Sequence, residues 1–142
     1  MQLIAERIIA YLKADVTLRT LLGSSDNIFA MGLQELDRRK AKYVAIPVEP
    51  GEDMNNLPGQ TGTFTLEVAV SRNVAGAFGI CIDIASRVDT LLNKGEASLS
   101  TTGWKIIHLK RLGSPSKGPM VDKDAGEVYL ALEYEYLLDE SV

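Results

Sequence analysis

The chain has 142 residues, 46% hydrophobic and 24% charged, a length and balance that suit one globular domain with one core and exclude a disordered chain. The formal net charge is −4, and the densest basic run is the trio Arg38-Arg39-Lys40; tight nucleic-acid binding needs clustered cations and is therefore disfavoured. No stretch approaches the roughly 20 apolar residues that span a bilayer, since the best candidate, Phe78 to Leu92, is interrupted by Asp83, Arg87 and Asp89.

The first element runs from Gln2 to Ala14, with Leu3, Ile4, Ile8, Tyr11 and Leu12 at helical spacing and Gln2, Glu6, Arg7 and Lys13 elsewhere around the wheel. This is the pattern of an amphipathic helix. The opening residues lack a basic segment followed by an unbroken apolar run, so no secretory signal is expected and the chain is expected to stay in the cytosol where it is made. Asp15-Val16-Thr17 offers a new helix cap, and Leu18, Leu21 and Leu22 predict a short second helix that Gly23 stops. Asn27 to Gly32 reads as a brief extended piece. Tyr43 to Val48 reads as a strand in which Pro47 marks an edge or a strand end, because proline cannot donate to the ladder.

Thr63 to Ser71 is the cleanest strand signal: Phe64, Leu66, Val68 and Val70 alternate with mostly polar neighbours, which predicts one buried and one wet face. The segment from Ala75 to Asn93 is the main helix. Phe78, Cys81, Ala85, Val88 and Leu92 form its apolar stripe, widened by Ile84 and Leu91, with Asp83, Arg87, Thr90 and Lys94 toward solvent. Two strands follow, Trp104 to Leu112 and Val128 to Leu138, expected to pair as an antiparallel hairpin. The fold class predicted is α+β, with an antiparallel or mixed sheet of about four to five strands and two main helices packed on one face. Two long polar loops, Glu49 to Gly62 and Gly113 to Glu127, join neighbouring strands, and loops of that length carry function more often than short ones. Each holds isolated apolar residues, Met54 and Leu57 in the first, Met120 and Val121 in the second.

Residues that could carry chemistry are few and scattered. His108 is the sole histidine and lies in a predicted strand, without the partners that a zinc site or a catalytic triad needs. Cys81 is the sole cysteine, so no internal disulfide can form; on the apolar stripe of a helix it reads as a small hydrophobe. The glycine-bearing stretches Gly59-Gln60-Thr61-Gly62, Gly76 to Gly79 and Gly113 to Gly118 match neither phosphate-binding pattern and read as turns and helix starts. Asp122-Lys123-Asp124 fails as a calcium loop, since the acceptor pattern is not kept after Asp124. Trp104, Tyr129, Tyr134 and Tyr136 could stack bases only beside a basic platform, which is missing, so they read as packing residues. No catalytic, cofactor-binding or metal-ligating residue is assigned.

The ordered set of elements resembles the phage tail terminator, or tail completion, family and its minor neck-protein relatives. The residues that carry the resemblance are Ile9 to Gly23 ("helix, Asp, small helix, Leu-Leu-Gly"), and Asn27-Ile28-Phe29 followed by Tyr43-Val44-Ala45-Ile46, where Lys42 replaces a common proline. The strand from Thr63, the helix from Ala75 and the strand from Glu127 complete it over nearly the whole chain. The resemblance implies a non-catalytic virion protein of the tail or neck. Its subunits would form a ring, typically of six, on the last ring of the tail tube, stop tube polymerisation and face the head connector. The partners so implied are further copies of the chain, the tail tube protein and head-tail connector proteins, with no membrane and no cofactor, and with DNA passing through without tight binding. A head-tail connector or stopper, and a small ligand-binding or enzymatic α+β domain, stay open as alternatives.

Two groups of site residues follow. Met54, Leu57, Met120 and Val121 are expected to contact neighbouring subunits or the tube. By strand alternation Val128, Leu130, Leu132 and Tyr134 join Phe64, Leu66, Val68 and Val70 toward the helices, so Glu67, Glu133 and Glu135 share the opposite face with Thr63, Thr65 and Ser71. On that face they are expected to line the channel and repel phosphate.

Overall fold

In a computed structural model of the chain, the residues described are 2–31, 41–47, 61–93, 104–112, 119–123 and 126–140. The first helix, α1 (Gln2–Lys13), buries Ile8 and Leu12, one turn apart, with Ile9 and Tyr11 at the margin of the same stripe. Lys13 in its last turn complements the negative end of the helix dipole. Asp15 then caps α2 (Val16–Leu22), its Oδ2 accepting from the Leu18 N–H at 2.8 Å. Gly23 ends α2 at φ 89°, where a side chain would be strained, and its N–H returns to the Arg19 carbonyl. Leu18 and Leu22 face inward.

A single turn of 3-10 helix (Ser25–Asn27) leads into β1 (Ile28–Met31), followed by β2 (Lys42–Pro47) and β3 (Thr61–Ser71). The main helix, α3 (Ala77–Leu92), follows, then β4 (Trp104–Leu112), β5 (Met120–Asp122) and β6 (Glu127–Glu140). The six strands form one mixed sheet in the order β1-β2-β3-β6-β4, with β5 on the same edge of β6 as β4. Only β1 and β2 run parallel; every other pairing is antiparallel. The α+β class and the mixed sheet agree with the sequence reading, with a third helix, α2, and a sixth strand added. Pro47 is the last residue of β2, in an interior strand, so of the two places expected for it the strand end is the one it takes.

The longest ladder joins β3 and β6 over every residue of β3, from Thr61 opposite Leu137 to Ser71 opposite Glu127. One face of it meets the helices: Phe64, Leu66, Val68 and Val70 from β3, and Val128, Leu132, Tyr134 and Tyr136 from β6, are buried with Cys81, Ile84, Val88 and Leu92 of α3. Leu130 is half-buried at the edge of the same cluster. Phe64 stacks on Tyr134 with ring centroids 5.4 Å apart. The aromatics of β6 on this face are therefore core residues, as packing predicts.

Three expectations are corrected. The second face of the sheet is not simply wet: Tyr43, Ala45 and Ala69 form a smaller buried cluster there, flanked by Phe29 and Tyr129. Met120 and Val121 stand in a strand instead of a loop tip, because β5 takes up the free edge of β6 beyond the reach of β4. Phe78 is 50% exposed, although its spacing places it on the apolar stripe of α3. At about 100° per residue it lies at the margin of that stripe, on the flank opposite Arg87, where it keeps half of its surface exposed.

Candidate interaction surface

The β4 hairpin with β6 forms as expected, with a bulge between Ile106 and His108 that leaves Ile107 without a partner in the ladder. His108 takes the rung opposite Leu137, within the strand where it was expected. Cys81 is buried; its thiol donates to the Val68 carbonyl at 3.7 Å, and burial pushes its pKa up to about 11. A thiol held protonated at neutral pH and closed to solvent is a poor nucleophile. Among the described residues, no group of three or more His, Cys, Asp and Glu is placed to hold a metal ion, and no helix is long and apolar enough to cross a membrane.

The three glutamates singled out by alternation do share a face. Glu135 stands between Thr63 of β3 and Lys110 of β4, Glu133 between Thr65 and Leu112, and Glu67 between Ala131 and Ala45. Glu133 is exposed, and Glu67 and Glu135 are half-buried. Lys110, directly opposite Glu135, is exposed on the same face, so the row is acidic but not purely so. The same period of two adds Glu127, which the sequence reading passed over. It is buried beside the smaller core and accepts a hydrogen bond from the Tyr43 hydroxyl at 2.8 Å. Strand parity alone places it with Glu133 and Glu135; the partner, Tyr43, lies 84 residues away.

Of the four expected contact residues, Met54 and Leu57 lie outside the described residues. Met120 and Val121 are 53% and 40% exposed on β5. Val121 pairs with the buried Val128 and so belongs to the helix side of the sheet.

On that same side an open groove of about 390 Å³ runs between α3 and β6, lined by Ile82, Ala85, Ser86, Asp89, Thr90, Arg111, Leu130 and Leu132. Ile82 is 46% exposed on its wall, and Phe78 continues the exposed strip one turn earlier on the same flank. The groove closes on a polar end. The Tyr134 hydroxyl donates to Asp89 Oδ1 at 2.9 Å, and Arg111 Nη1 pairs with Asp89 Oδ2 at 3.0 Å. Burial and the neighbouring Asp89 carboxylate both raise the Tyr134 pKa, so its proton stays in place to donate. The arrangement offers apolar contact area with one guanidinium at its end. Of the five large hydrophobics exposed among the described residues, Phe78, Ile82 and Val121 belong to this side of the sheet. The sequence hid this surface because Phe78 and Ile82 read as part of a helix's ordinary apolar content.

No protein-family model and no curated protein sequence matches the chain. Among solved structures, it is similar to a chain in the virion of a native gene transfer agent (GTA) particle, with a TM-score of 0.68 and 18% sequence identity. The superposition covers 94% of this chain and 92% of that one. At that identity the likeness establishes a shared fold, extending over nearly the full length of both chains.

Proposed function

We propose that this chain is a structural, non-catalytic virion subunit that caps a tail tube as a ring, ends tube polymerisation and presents the surface to which the head connector joins. The observation that carries the reading is the end-to-end match in fold with a chain of a virion, without large insertions on either side. Three features support it. The ordered phrases of the sequence resemble the tail terminator family. The exposed groups suit contact between proteins, with apolar Phe78, Ile82 and Val121 on the helix side of the sheet and Met120 on the other. The row of Glu67, Glu133 and Glu135 suits a channel wall that DNA must pass without sticking.

The test is imaging of the purified protein by negative stain, alone and mixed with tail tubes. Rings of about six copies seated on one end of the tube are the expected outcome for a closed heterologous assembly. Rings that ignore tubes and bind the portal vertex of a head would assign the protein to the connector position instead, and failure to bind either particle would overturn the reading.

A further inference from the structure

We draw no further inference here: the strongest candidate, the open apolar groove between α3 and β6 with Ile82, Leu130 and Leu132 along it and Arg111 at its end, is an unpartnered surface, and nothing in the structure shows what covers it.

Discussion

Arg87 grips Asp15 with two nitrogens, Nε to Oδ2 at 2.9 Å and Nη2 to Oδ1 at 2.6 Å, while the same Oδ2 caps the first turn of α2. One carboxylate thus ends the chain's first turn between helices, starts the second helix and fixes α3 against it across 72 residues of sequence. The fork-on-carboxylate geometry is the most directional form of ion pair and cannot be reproduced by lysine.

That geometry sets a pH dependence. The hydrogen bond from Arg87, foremost, holds the Asp15 carboxyl below its ordinary 3.8. A carboxyl lowered in the folded state adds stability that is complete above its unfolded value and disappears as pH falls through the folded one. Asp15→Asn should therefore melt lower than the native chain at pH 7, with the gap closing below about pH 4. Asp15→Ala, which also removes the cap, should cost about 1 kcal/mol at neutral pH from the cap alone. Thermal melts at pH 7 and pH 3 check both; a gap unchanged with pH would show that the pair is not what Asp15 contributes.

Tyr134 ties the sheet to α3 through Asp89. Tyr134→Phe keeps the ring stacked on Phe64 and removes only the hydroxyl, so the loss should be about 1.5 to 3 kcal/mol for one hydrogen bond to a charged acceptor. Denaturant unfolding with an unchanged slope and a lowered midpoint is the expected signature. A neutral outcome would mean that Arg111 alone satisfies Asp89.

Cys81 should behave as core. Its burial and raised pKa predict that a thiol-alkylating reagent at pH 7 labels the native chain only as fast as the chain opens, while the denatured chain labels at once. Cys81→Ala should lower stability by about 1 kcal/mol, as other small deletions of buried atoms do, and leave assembly intact. Loss of assembly in a folded Cys81→Ala protein would overturn the non-catalytic reading.

The acidic face can be inverted without touching the main core, because Glu133 is exposed and Glu67 and Glu135 are half-buried on the side away from the helices, although Glu67 stands beside Ala45 of the smaller cluster. Replacing all three with Lys should preserve folding and ring formation, with a small cost where residue 135 would then face Lys110. Particles built with the triple variant should eject DNA slowly at low salt and recover as salt rises. Normal ejection at low salt would place these residues outside the channel.

Much of this fold is local and was legible in the residues themselves. The period of two in β3 and β6, the helical spacing of Ile8 and Leu12, the Asp15 cap and the Gly23 stop each act over a few residues. The shared face of the three glutamates was legible too, since strand parity alone puts Glu67, Glu133 and Glu135 together. Other features depend on which strand lies beside which, and a pattern within one segment carries no record of that. The parallel pairing of β1 with β2, the short β5 beside β6, and the burial of Ala69 under Tyr43 arise from sheet order. The same holds for Phe78 and Ile82. Periodicity shows that a helix has an apolar side but not how wide a sheet will lie beneath it. Where α3 lies over β6, the margin of its stripe stays exposed, and the groove between them exists only because of that packing.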